Sequence, residues 1–252
     1  MFQYLTHNNI NRKSLTLVFL FFLSFYQANS QLSPLLIKFY KGNNNIFPSE
    51  WRSDKIQVKA TIPHSDLSSA LDELGKALGK YPKKFDSTLK NIFLLGNFYY
   101  QGHRYPAAHS DENIYIGIRH NNDIEKIFHR EYFEILLKKH PDILNRIEWK
   151  NINTGLLYRP ETYNTTNDFS AQQLNPLLFE EGFLTNYSLT GWENDVAIYA
   201  ENLFAGGRTF WMVVDKYPLI KQKAQLVIHF YHQLYPVYTE NWFRFIADYR
   251  LF

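Results

Sequence analysis

NDIEKIFHREYFEILLKKH, running from Asn122 to His140, places apolar side chains at Ile124, Ile127, Phe128, Ile135 and Leu136. That spacing predicts a half-buried helix of about five turns. Asn122 with Glu125 three residues on forms a capping pair at its start, and Pro141 stops it just past the end. One ionisable residue breaks the apolar stripe. Glu131 stands four residues from Ile127, three from Phe128 and four from Ile135, so its carboxylate points inward with them. A carboxylate on a core-facing stripe requires a partner or a task.

Zinc peptidases of the His-Glu-x-x-His type carry two metal-binding His one helical turn apart, with the intervening Glu as general base on the bound water. With Glu131 as that Glu, the two His positions fall on Arg130 and Glu134. The frame FHREYFEIL, with one His displaced to His129, nevertheless resembles the active helix of secreted zincin-type (His-Glu-x-x-His-related) zinc-binding metallopeptidases. A second stretch is similar as well. Gly182 to Ser188 followed by Glu193 to Ala197 looks like that family's Gly-Phe turn and acidic helix start, which supply a third zinc ligand. The order of elements between residues 58 and 205 agrees, so the resemblance spans about 150 residues.

The resemblance implies an α+β, zincin-like fold: a small N-terminal mixed sheet with helices, a central active-site-type helix, and a helical C-terminal half. It makes Glu131 the catalytic base if the protein is active, and one of Glu193, Asn194 or Asp195 the third-ligand position. Metal candidates are then His129, Glu134, Glu193 and Asp195. The departures weigh against that chemistry. Arg130 and Glu134 are opposite charges at i and i+4, an ion pair standing where two imidazoles would grip the metal. The guanidinium of Arg130 would itself fill the site, pairing with Glu134 or with an acid of the 193–195 region. His129 and Glu134 lie about 140° apart around the helix and cannot grip one ion in the standard way; a buried His beside Tyr132 and Phe133 is the preferred reading of His129. Zinc is allowed, and no cofactor is the preferred expectation. The function expected is a non-catalytic peptide- or partner-binding relative. The alternative is an active metallohydrolase with a non-standard metal site and Glu131 as base.

The chain starts with a basic segment (Arg12, Lys13), the apolar run Leu15 to Tyr26, and Ala28-Asn29-Ser30. That pattern predicts a signal peptide over residues 1–30 and one domain over 31–252, with a sheet-plus-helix half (31–141) and a mainly helical half (142–252). Export to a periplasm or the cell exterior follows. The apolar run is too short to span a bilayer, and nothing beyond it is long enough, so no membrane span is expected in the mature form. With no Cys there are no disulfides, thiolate ligands or Cys nucleophile. Loss of residues 1–30 lowers the formal charge from +3 to +1, which leaves no footprint for nucleic acid. The 17% aromatic content lies mostly in apolar-periodic segments and reads as packing.

Along the chain, strands are expected at Lys55–Ile62, Leu89–Tyr100 (bent at Gly96) and Asn113–Ile118, and helices at Ser65–Lys80, Gly191–Phe204, Pro218–Leu234 and Glu240–Tyr249. Thr190 with Glu193 forms a capping box for the 191–204 helix. Residues 101–113, with His103 and His109, read as a polar loop, and 142–180 as irregular with a short helix or two. Gly206-Gly207-Arg208 lacks the strand, spacing and Lys of a phosphate loop.

Overall fold

A computed structural model describes residues 37–39, 46–51, 56–59, 62, 64–82, 88–100, 102–118, 123–153, 158–159 and 172–248. The expected signal peptide lies outside the described residues. Among those described, no helix is long and apolar enough to cross a membrane.

Among the described residues, seven strands form two sheets. β1 (Ile37–Phe39), β3 (Asn91–Leu95) and β7 (Asn113–Gly117) run parallel, and β6 (Ala107–His109) closes one edge antiparallel, in the order β1-β3-β7-β6. The smaller sheet is antiparallel, β2 (Ile56–Lys59), β4 (Asn97–Tyr100) and β5 (His103–Tyr105). The stretch expected as one bent strand is therefore two, and Gly96 hands the chain from one sheet to the other. The sheets approach so closely there that a Cβ on Gly117 would lie 3.3 Å from the Gly96 carbonyl oxygen. The 101–113 segment is not a loop but carries β5 and β6. Both are short, with His103 exposed and His109 half-buried, and an edge strand that wets half its residues looks like a loop in composition.

Among the described residues, seven α-helices follow the same logic of apolar spacing: α1 (His64–Gly79), α2 (Ile124–Lys139), α3 (Arg146–Ile152), α4 (Trp192–Ala205), α5 (Gly207–Lys216), α6 (Pro218–Leu234) and α7 (Glu240–Asp248). α2 is the expected central helix, packed against α1, α4, β6 and β7. Asp123 caps it, its side chain accepting from the Lys126 N–H at 3.1 Å, and Glu73 of α1 accepts from the Ile124 N–H at 2.7 Å. Asn122, the expected cap, lies outside the described residues. The expected Thr190–Glu193 capping box does not form. Gly191 is the cap residue without a side-chain bond, and the Thr190 hydroxyl donates instead to the Tyr187 carbonyl at 2.8 Å. α5 was hidden by the two glycines at its start; Phe210, Trp211, Val213 and Val214 supply its buried face.

One large core joins α1, α2, α4, α6 and α7 to one face of the main sheet, and a second (Phe47, Ile56, Leu95, Phe98, Tyr115) covers the other face. Much of the aromatic content is spent here. Phe204 at the end of α4 meets Tyr81, Tyr231, Tyr238 and Phe243 at centroid distances of 4.8–5.7 Å, mostly edge to face.

Candidate functional site

Strand alternation decides which β6 side chains reach α2. Ala107 belongs to the core on the α2 side and Ala108 packs on the other, so His109 turns toward α2 with Ala107. Its Nδ1 lies 2.9 Å from Glu131 Oε2 and 3.5 Å from Glu134 Oε2. On the other side of Glu131, Arg130 Nε donates to Oε1 at 3.4 Å. Arg130 Nη1 then reaches Gln172 Oε1 at 3.0 Å and Glu201 Oε2, on α4, at 3.4 Å, with the Tyr187 ring centroid 5.8 Å from the guanidinium carbon. A charged chain thus runs from Glu134 through His109, Glu131 and Arg130 to Glu201. Arg130, Glu131 and Glu201 are 3%, 7% and 2% exposed, so little water screens it.

The protonation states follow from the neighbours. Burial alone would push Glu131 up, but the hydrogen bond and charge of His109 and the charge of Arg130 outweigh it and hold the carboxyl below the usual range. Burial disfavours charge on His109, yet the Glu131 partner wins and raises it. Arg130 is likewise desolvated but held firmly charged by Glu201 and Glu131. Glu134 has the His109 ring at a longer 3.5 Å and the charge of Arg130, and together they do not offset its burial. Burial and the adjacent Glu131 charge push it up to about 7, and burial does the same to Glu201.

Glu134 therefore carries a pH signature. The folded protein holds a proton on it up to about pH 7, whereas an ordinary carboxyl loses that proton near 4.5. Its contribution to stability is present below about 4.5 and is lost as pH rises through 7. Between pH ~5 and ~8 the wild type should lose more stability than Glu134→Gln, measured by urea unfolding at each pH. Parallel curves for the two proteins would contradict the assignment.

The other expected site residues are dispersed. His129 faces away from Glu131: its ring is fully buried, stacks on Phe204 at 4.5 Å, and lies with Nδ1 2.9 Å from the Tyr81 hydroxyl. Burial holds it down at about 4, a neutral core imidazole at ordinary pH. Asp195 is also buried, where its Oδ2 accepts from Lys223 Nζ at 2.6 Å, Trp149 Nε1 at 2.9 Å and Tyr158 at 3.0 Å. Asn194 donates to Thr190 Oγ1 at 2.6 Å. Glu193 is exposed at the α4 start, near enough for its charge to add to the rise of Glu134. The expected Arg130–Glu134 ion pair is replaced by Arg130–Glu131 and Arg130–Glu201, because Glu134 turns to His109 instead.

The family resembled implies zinc, and the residues present do not fit it. A guanidinium fixed on two buried carboxylates stands at the first ligand position, and a second cation beside it would meet like charge. Among the described residues, no group of three or more His, Cys, Asp or Glu is arranged to hold a metal ion.

Glu201, Gln172 and His109 join this charged chain through contacts that their sequence neighbourhood does not announce. Glu201 carried the same signal as Glu131, an acid four residues from Ala197 and three from Phe204 on a buried face. His109 could have been found only by recognising β6.

The chain matches no protein-family model and no curated protein. Its fold matches the crystal structure of a "putative zinc-binding metallo-peptidase" from Bacteroides caccae, with a TM-score of 0.51 over 90% of this chain and 89% of that one, at 17% sequence identity. At that identity the likeness is one of fold: a metallopeptidase-like arrangement of helices and small sheets.

Proposed function

We propose that this chain is an exported, non-catalytic relative of the zincin-type metallopeptidases that binds an extended peptide or a partner segment and holds no zinc. The observation that carries the reading is Arg130. Its guanidinium donates to Glu131, Glu201 and Gln172, so the carboxylate at the general-base position answers an internal cation rather than a metal-bound water.

Peptide binding takes its support from β6. It ends the main sheet, and the bonds from the Gly117 N–H to the Pro106 carbonyl and from the Ser110 N–H to the Asn113 carbonyl turn Pro106, Ala108 and Ser110 toward β7. The backbone groups of Ala107 and His109 therefore face away from β7 at the sheet's edge, where Ala107 is buried and His109 half-buried, so the accessible part of the edge is at His109. An extended segment laid there would gain main-chain hydrogen bonds beside His109.

Metal analysis of the purified protein tests the reading. Less than one zinc per chain and a Tm unchanged by chelator are expected. One tightly held zinc per chain, with chelator-sensitive peptide cleavage abolished by Glu131→Gln, would replace it with the metallohydrolase alternative.

A further inference from the structure

A groove of about 400 Å³ runs along the β6 edge, between the short 3-10 turn Ser49–Trp51 and the β6–β7 connection. Glu50 and Trp51 form one wall, and His109, Asp111, Glu112 and Lys138 contribute to the other. We infer that this groove selects a basic residue, the lysine or arginine side chain of an extended peptide, and seats it between the Glu50 carboxylate and the Trp51 indole. This rests on the peptide-binding reading above and specifies what that peptide must carry.

Three observations converge on a cation. The first is an unequal distribution of pairing. Asp111 is matched by Lys138 at 2.5 Å and Glu112 by Lys90 at 2.5 Å, while among the described residues Glu50 accepts only the Ser49 hydroxyl, at 3.1 Å, and pairs with no cation. Three carboxylates line the groove against the Lys138 ammonium and the His109 ring, which Glu131 already engages, so an acidic excess remains, and the carboxylate without a cationic match among the described residues, Glu50, directly precedes Trp51 in the chain. The second is that the ring is held in place: Trp51 packs on Tyr115 at 5.6 Å, and Tyr115 stacks on Phe93 at 5.2 Å. A half-exposed indole fixed beside a carboxylate offers both a cation–π face and a counter-charge to an ammonium or guanidinium. The third is the edge itself, accessible at His109. A strand added along Ala107 and His109 projects alternate side chains to the two faces of the sheet, and those on the face away from α2 point to the side where Trp51 packs. A neutral peptide would gain the main-chain bonds alone, and an acidic one would meet a like-charged wall.

The full chain can be tested by fluorescence polarisation against labelled, end-blocked seven-residue peptides of Ser, Thr and Val, carrying Lys, norleucine or Glu at each position in turn. Lys at one position should bind about three- to tenfold tighter than norleucine, and Glu more weakly than either. Glu50→Gln, a change at an exposed side chain, should remove most of that preference while leaving norleucine binding unchanged, and added salt should do the same to the wild type. Binding that ignores or reverses the charge, or a preference that survives Glu50→Gln, overturns the basic-residue assignment and leaves the peptide-binding reading standing. No binding of any peptide overturns both.

Discussion

Lys223→Met should lower stability by about 3–5 kcal/mol, the loss expected when one member of a buried ion pair is removed and the other charge is left without compensation. Lys223 and Asp195 are both 0% exposed and meet at 2.6 Å. The ammonium also donates to the Gly182 carbonyl at 2.9 Å and lies 4.4 Å from the Phe183 ring centroid and 5.1 Å from that of Trp149. Burial pushes Asp195 up and Lys223 down, and their attraction works against both shifts. The pair ties the start of α4 to the middle of α6 and to the turn at Gly182, whose φ of 77° suits glycine and whose Cβ position would fall 2.8 Å from Asn153 Nδ2.

A double variant separates charge from packing. Asp195→Asn keeps an acceptor for Trp149 and Tyr158, and Gly182 keeps the Tyr199 hydroxyl at 3.0 Å, so combining it with Lys223→Met should recover most of the loss. Urea unfolding of the four proteins supplies the coupling energy. A Lys223→Met protein as stable as wild type would show that Asp195 does not depend on that cation, and would reopen its expected role as a metal ligand.

What was legible in the sequence was whatever follows from periodicity. The apolar spacing of α2, α4 and α6 located each to within a residue or two, and Pro218 marked the start of α6, because burial of one helical face leaves a local trace. Glu131 stood out by the same rule, as a charge on an apolar stripe. The partners of these residues were not legible. His109 reaches Glu131 across 22 residues and Glu201 reaches Arg130 across 71, and spacing says nothing about pairs set by how elements pack. Local charge pattern even pointed elsewhere, toward an Arg130–Glu134 pair at i and i+4. That surface rule is worth a few tenths of a kcal/mol, and a buried carboxylate on a neighbouring helix outweighs it. The Thr190–Glu193 capping box failed likewise, and the start of α2 takes Glu73 of α1, a partner 51 residues away that local sequence does not reveal.

The sharpest consequence concerns Arg130. Arg130→Met should cost about 3–5 kcal/mol near pH 8, because Glu131 and Glu201 then share a buried region without their cation. Near pH 5 the cost should be smaller. Glu201, already pushed up to about 7 with the guanidinium present, can then take a proton and no longer needs a counter-charge. Adding Glu201→Gln to Arg130→Met should restore part of the loss at pH 8 and little at pH 5. Glu131 keeps His109 at 2.9 Å throughout, which sets a limit on how much is lost. Urea unfolding at the two pH values gives all four quantities. A further arm asks what Arg130 replaces: if the guanidinium stands in for a bound cation, zinc should raise the Tm of Arg130→Ala and leave the wild type unchanged. A cost that does not vary with pH would mean that the side chain acts through packing of its stem, and an Arg130→Ala protein indifferent to zinc would mean that the carboxylates around it are arranged for a guanidinium alone.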